Sequence, residues 1–234
     1  RISTGNVDTA PIAKQLVHAN NAVLQRISRL PPNFSGGLTA GKSWDIGDTT
    51  LGVIAALGYS NKWSNRGAIN QGSLDTDLAT LENDFYRITT DNRIVVNGLL
   101  GVGLEFGDNK IRWTNLYIHD TSKNSQFGEG SRAGNSQTYR QQKTAWYERQ
   151  LINTQLVGEF KLTDRLSVDL RGSYAKTKRE APYELFFEYA RSNADGDPFG
   201  GFFLNLLNNG QRGDAEISFS DLNERLLSAG VDIT

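Results

Sequence analysis

The sequence predicts an all-β fold: an antiparallel up-and-down meander of about seven strands, part of a transmembrane β-barrel with long loops on one side. Three observations predict it. Apolar and polar residues alternate with period two over segments of roughly 10–14 residues, longer than common strands. Short turn signals close some segments and long polar stretches follow others. Aromatic residues collect near the segment ends, where interfacial girdles of membrane barrels belong.

In chain order, residues 34–44 place Phe34, Leu38, Ala40 and Trp44 on one face, with Ser35, Thr39, Ser43 and Asp45 opposite. Ile46-Gly47-Asp48 turns the chain. Residues 51–63 then set Leu51, Val53, Ala55, Leu57, Tyr59 and Trp63 against Gly52, Gly58, Ser60 and Lys62. Residues 64–82 read as a polar loop. In 83–106, Ile94, Val96, Leu100, Val102, Leu104 and Phe106 oppose Arg93, Asn97 and Glu105, before a turn at Gly107-Asp108-Asn109. Residues 110–121 form a strand of ambiguous facing, because Ile111, Trp113 and Tyr117 compete with Leu116 and Ile118. Residues 122–143 read as a second long loop.

The pattern resumes over 145–162, with Ile152, Leu156, Phe160 and Leu162 against Asn153, Gln155, Glu159 and Lys161. Thr163-Asp164-Arg165 turns into 166–178, where Leu166, Val168, Leu170 and Tyr174 oppose Ser167, Asp169, Arg171 and Ser173. Residues 179–215 read as a third loop. Residues 217–234 form a last strand, with an irregularity expected near 223–226. Short turns on one side and long connections on the other are the asymmetry of bacterial outer-membrane barrels. Residues 1–33 are expected to be an outer-loop segment, partly helical, since Ile12, Leu16, Val23, Leu24 and Ile27 recur near helical spacing. Residues 34–234 are expected to be the partial barrel.

Composition narrows the functions. Of 234 residues, 25 are Lys or Arg and 26 are Asp or Glu. The balance argues against a general nucleic-acid partner, which needs a basic surface to compete for phosphates. Cysteine is absent, which removes disulfides and thiolate-bound zinc. Mean hydropathy is −0.47, and no apolar run is long enough for a membrane helix. Neither fact opposes a barrel, whose strands are apolar on one face only. The chain opens on Arg-Ile-Ser and ends within a strand pattern, so an excerpt of a longer protein is expected.

No constellation points to an enzyme, a cofactor or a metal. Gly36-Gly37-Leu38-Thr39-Ala40-Gly41-Lys42-Ser43 satisfies the phosphate-loop spacing, but that chemistry needs a helix N-terminus next, and a turn follows instead. His18 and His119 are far apart, and no partners for them are evident. Glu105, Glu159 and Asp169 read as charges facing a wet lumen, with Arg93, Lys161 and Arg171 as neutralising partners rather than as an acid–base pair. Asp195-Gly196-Asp197 reads as a polar turn, too short for calcium.

Four stretches resemble a known family: Trp113-Thr114-Asn115-Leu116-Tyr117, Trp146-Tyr147-Glu148-Arg149-Gln150-Leu151, Arg179-Glu180-Ala181-Pro182-Tyr183-Glu184, and Phe219-Ser220-Asp221-Leu222-Asn223-Glu224. They look like the middle of the barrel of TonB-dependent outer-membrane receptors, over most of residues 31–234. The resemblance implies a bacterial outer-membrane location and contact with outer-membrane lipid. It implies a 22-stranded barrel plugged by an N-terminal domain. It also implies active uptake of a scarce ligand such as a ferric siderophore, an oligosaccharide or cobalamin, driven through a TonB complex that grips the plug. Neither the plug nor its TonB box is visible here, nor is an aromatic-ended final strand.

The small-molecule ligand is expected at the outer loops. Tyr183, Phe186, Phe187, Tyr189, Arg191, Phe199 and Phe202 are the candidate contacts, since exposed aromatics can stack on a sugar or siderophore. A passive porin and a soluble antiparallel β-sheet binding module are the alternative readings.

Overall fold

The computed structural model describes residues 26–77, 79–134, 136–198, 200–204 and 215–234, with the isolated positions 8, 11, 12, 15 and 24. Seven strands follow one another: β1 (Phe34–Ile46), β2 (Thr49–Ser73), β3 (Leu81–Phe106), β4 (Asn109–Arg132), β5 (Gln137–Thr163), β6 (Leu166–Ser192) and β7 (Ala215–Ile233). They form one antiparallel sheet in the order β1-β2-β3-β4-β5-β6-β7. The sheet is an up-and-down meander that does not close, so β1 and β7 are its edges. The helix expected within 10–30 falls mostly outside the described residues, as do His18 and Phe199.

The short turns are two residues long. Gly47 and Gly107 have φ of 62° and 55°, the positive φ that two-residue hairpins require. The third, Asp164-Arg165, has no glycine. Its chain compensates with a register shift between Lys161 and Thr163, and the Thr163 hydroxyl accepts the Arg165 N–H at 3.3 Å.

At the other end the structure corrects the sequence reading. Most of the first two polar stretches read as loops, and residues 179–192 of the third, are strand. The connections shrink to residues 74–80, 133–136 and 193–214, while β2 to β6 run 24 to 27 residues each. Side chains there are mixed on both faces, so period two fades. The backbone ladder does not depend on side chains and continues: Ile69 pairs with Tyr86, and Phe127 with Gln142.

The irregularity expected near 223–226 is absent. Residues 220–233 pair without interruption, and the shift lies on the partner strand between Ala181 and Glu184. Pro182 sits there and has no N–H to give the ladder, so the strand bulges around it.

Register also fixes the facing of β4. Trp113 opposes Val102 and Leu156, and Tyr117 opposes Gly98 and Ile152, so Ile111, Trp113 and Tyr117 join the apolar face. Leu116 and Ile118 fall on the polar face, beside Leu99 and Leu151 respectively.

The apolar face is one band across all seven strands at the short-turn end. A row of direct partners such as Ala40, Ala55, Leu100 and Asn115, or Leu156, Gly172 and Ala229, crosses it at mid-height. Its large side chains are uncovered: Leu38, Leu57, Leu156, Leu227 and Val231 are all more than half exposed.

The polar face is crowded at the opposite end, where Phe85 and Tyr139 are almost fully buried. Both flank Gly130, which is the direct partner of each. Without a side chain at 130, the two rings can close over the strand between them. A Cβ at Gly130 would overlap the Asp84 carbonyl oxygen and stand 2.7 Å from Phe85 Cα. Backbone cannot yield as a flexible side chain does. Gly130→Ala is therefore expected to cost about 1–3 kcal/mol, read as faster amide exchange in β3 and β4 near the substitution.

The 74–80 connection is organised by Asp75. Its carboxylate accepts the Ala79 N–H (2.9 Å), the Thr80 N–H (3.0 Å) and the Ser73 hydroxyl (3.1 Å). The Thr80 side chain first, then Ser73 and the two amides, hold this carboxyl below its ordinary value against a smaller opposing effect of desolvation. A depressed folded value means the stabilisation is present above the ordinary carboxylate value and lost as pH falls through the depressed one. Asp75→Ala is expected to speed proteolysis within 74–80 at neutral pH. The parent protein should approach that rate only in strong acid.

Candidate binding face

The polar face carries a series of paired charges, each held by the strand register. Nearest the short turns, Lys110 pairs with Glu105 at 3.1 Å, and Arg112 pairs with Glu159 across β4 and β5. Arg171 pairs with Asp232 across β6 and β7. The carboxylates expected on this face are there, and the salt bridges give Glu105 and Glu159 partners other than those proposed from sequence. Lys161 instead reaches Asp108 at 3.1 Å, between neighbouring short turns.

Between these pairs the face is bare. Gly41, Gly52, Gly101 and Gly103 lie at or near one level, leaving an open depression of about 530 Å³ bounded by Ile54, Arg112 and Thr114.

Further up, Asp120 is 8% exposed and receives a two-point hydrogen bond from Arg93, at 3.0 and 2.9 Å. Arg149 approaches the same carboxylate at 3.7 Å. One buried carboxylate thus serves two guanidinium groups from the strands on either side.

The densest group lies at the long-connection end. Glu188, 6% exposed, accepts two hydrogen bonds from Arg132 (3.0 and 2.7 Å) and one from Gln141 (2.7 Å). Arg87 donates to the Gln141 carbonyl at 3.2 Å. The Arg132 guanidinium also lies over the Tyr139 ring at 4.5 Å and near Phe85 at 5.9 Å. Buried charge is tolerated because every carboxylate oxygen has a donor and the cation rests on ring faces.

Beside it, Lys143 pairs with Glu184 at 2.9 Å, and Arg179 stacks over Tyr147 at 5.2 Å. The Lys143 bond holds Glu184 below the usual carboxylate range, and the same bond raises Lys143. Burial, then its bond to Glu184, pushes the Tyr147 phenol up. The Glu184 contribution is lost as pH falls through its depressed value, and that of Lys143 as pH rises through its raised one. The pair is therefore intact throughout the neutral range.

The sequence-predicted contacts do not form one cluster. Tyr183, Phe186, Phe187, Tyr189 and Arg191 lie on β6 rather than in a loop. Direct partners place Tyr183, Phe187, Tyr189 and Arg191 on the continuation of the apolar face, whereas Phe186 shares the polar face with Lys143. Phe187 and Tyr189 pack against each other at 6.4 Å, as do Tyr183 and Phe219. Phe202 is 66% exposed in the connection after β6.

Its neighbour Phe203 is held between two cations, Arg140 at 3.8 Å and Arg191 at 4.9 Å. Leu204 pairs with Ala190 through two backbone hydrogen bonds of 2.9 Å, which fastens this connection to the end of β6. Sequence alone does not mark Arg132, Gln141 and Asp120, because the stretch of the first two is polar on both faces and that of Asp120 has ambiguous facing. A turn signal at Ala133-Gly134, where Gly134 has φ of 70°, was the available clue to a hairpin there.

The phosphate-loop spacing lies wholly within β1. Lys42 extends over the Trp44 ring at 5.4 Å on the apolar face, and Ser43 lies on the other face, so the two cannot share a phosphate. His119 stands 3.8 Å from Glu148. Among the described residues no group of three or more His, Asp or Glu side chains is placed to hold a metal ion. No helix among them is long and apolar enough to cross a membrane, which leaves crossing by strands open.

No family model matches the chain, and no curated protein matches it.

Proposed function

We propose that this chain is a segment of a bacterial outer-membrane barrel that serves as a TonB-dependent receptor. The observation that carries the membrane part is the apolar band: exposed aliphatic and aromatic side chains on one face of all seven strands, interrupted by Lys42, Asn115 and Thr154, with a series of ion pairs on the other. In water such a face is an open invitation to aggregate; against lipid it is the required surface.

In this reading the lipid-spanning parts are about residues 34–46, 49–59, 96–106, 109–117, 152–163, 166–174 and 227–233. The five from 49–59 to 166–174 are close to the roughly 9–11 residues that a tilted membrane strand needs, while the edge segments 34–46 and 227–233 are longer and shorter. Trp44, Phe106 and Phe160 mark the short-turn boundary, and Tyr59, Tyr117 and Tyr174 the other. The strands continue beyond the membrane and carry the Arg132–Glu188 group outward. The paired charges of the polar face then line a wet lumen.

The receptor part rests on the resemblance of the four sequence stretches. It names active uptake of a ferric siderophore, an oligosaccharide or cobalamin, with the Phe202–Phe203 connection and the β6 aromatics as the outer contact region.

The test is made on the full-length natural protein. Fractionation should recover it in the outer membrane, with a gel mobility that changes on heating in mild detergent. Uptake of its ligand should stop when the proton gradient is collapsed. A soluble protein without a heat shift would return the apolar face to a soluble binding module. A heat-modifiable protein whose flux ignores the gradient would be a passive porin.

A further inference from the structure

Lys176 on β6 and Arg225 on β7 are direct cross-strand partners on the apolar face. Like charges placed opposite one another repel. The ion pairs of these two strands on either side engage other groups, Arg171 with Asp232 and Lys178 with Glu180, so neither Lys176 nor Arg225 has a carboxylate partner among the described residues. The two cations stand at the upper limit of the band. Descending from them, the partners are Tyr174 with Leu227, Gly172 with Ala229, and Leu170 with Val231. Leu227 is 81% exposed. Gly172 and Ala229 leave a shallow waist between larger neighbours. On the far side of the cations the next row of partners is Gln150, Lys178 and Asn223, and beyond it lie Glu148, Glu180 and Asp221, of which Glu180 is paired with Lys178.

Resting on the membrane reading above, we infer that Lys176 and Arg225 clamp the phosphate of an anionic membrane lipid, with its acyl chain laid along the strip from Tyr174 and Leu227 to Leu170 and Val231. Glu148 and Asp221, beyond the paired Lys178 and Glu180, disfavour the phosphate higher up, and the apolar strip confines it from below. The level left for it is that of the two cations without a carboxylate partner among the described residues. Arginine presents a fork to two phosphate oxygens and lysine a point charge, both suited to a headgroup oxyanion. Each basic group near a lipid surface attracts anionic lipid. An anion between the two would relieve a repulsion that the protein leaves uncompensated.

Native mass spectrometry on the full-length protein, stripped of lipid in detergent, tests this with dimyristoyl phosphatidic acid against dimyristoyl phosphatidylcholine. The unsubstituted protein is expected to hold the phosphatidic acid more tightly. Lys176→Gln with Arg225→Gln should weaken that binding roughly tenfold and leave phosphatidylcholine unchanged. Lys62→Gln with Arg66→Gln removes the same charge from the opposite face and should change neither. A double variant at 176 and 225 that keeps the preference overturns the clamp. Displacement of the lipid by inorganic phosphate at equal concentration also overturns it, in favour of a free-anion site. The heat-shift gel on the same samples separates the two readings: a heat-modifiable protein without lipid preference loses only the clamp, whereas absence of the shift removes the membrane reading beneath it.

Discussion

Leu100→Arg is expected to destabilise the assembled protein by about 2–4 kcal/mol, the cost of an arginine near the middle of a bilayer on the lipid side of a barrel. Leu100 lies on the interior strand β3 between Ala55 and Asn115, at mid-height of the apolar band, and is 40% exposed. That exposure makes the experiment decisive. At an uncovered surface position in water, the same substitution changes stability by no more than about 0.5 kcal/mol. In lipid, the guanidinium has nowhere nearby to find water. Thr114→Arg is the control. Thr114 borders the bare depression on the polar face, where a long cation has room and solvent, and a change within about 0.5 kcal/mol is expected. Urea unfolding in lipid vesicles, followed by the heat-shift gel, measures both. Equal and small effects would remove the lipid from the apolar face.

The second large effect is an asymmetry within the Arg132–Glu188 pair. Glu188 is nearly fully buried on its side chain, while 42% of the Arg132 side chain reaches solvent. Arg132→Met leaves a carboxylate in place without its principal cation, and is expected to cost about 3–5 kcal/mol. Glu188→Gln leaves a neutral amide that still accepts from Gln141 and Arg132, and a cation able to turn to water. Its cost should be about 1.5–3 kcal/mol. Hydrogen exchange over residues 127–132, 137–142 and 186–191 reads both, since these segments meet at the pair. Equal costs would mean that Glu188 does not sit in the dry environment its burial indicates.

The strands of the apolar band were legible because burying one face and wetting the other forces period two on the sequence. That signal located all seven strands and the two glycine turns, Gly47 and Gly107. It failed where chemistry no longer differs between faces. Residues 64–73, 122–132 and 179–192 are polar or mixed on both sides, and the ladder there is held by backbone hydrogen bonds that side-chain order does not report. The aromatics from Tyr183 to Tyr189 looked like one loop cluster by their proximity in sequence. On a strand, neighbours point to opposite faces, and the bulge at Pro182 changes the parity as well.

What the sequence determined by itself is the class, the count and order of strands, and which end of the sheet has short turns. These follow from local chemistry: alternation, glycine at positive φ, and polar breaks. Only the tertiary structure decided the facing of β4, the true length of the strands, and the meeting of Arg132 with Glu188 and of Lys176 with Arg225. Those pairings join residues about 50 positions apart. Their geometry is set by register between strands, a property of two segments together that neither carries in its own sequence.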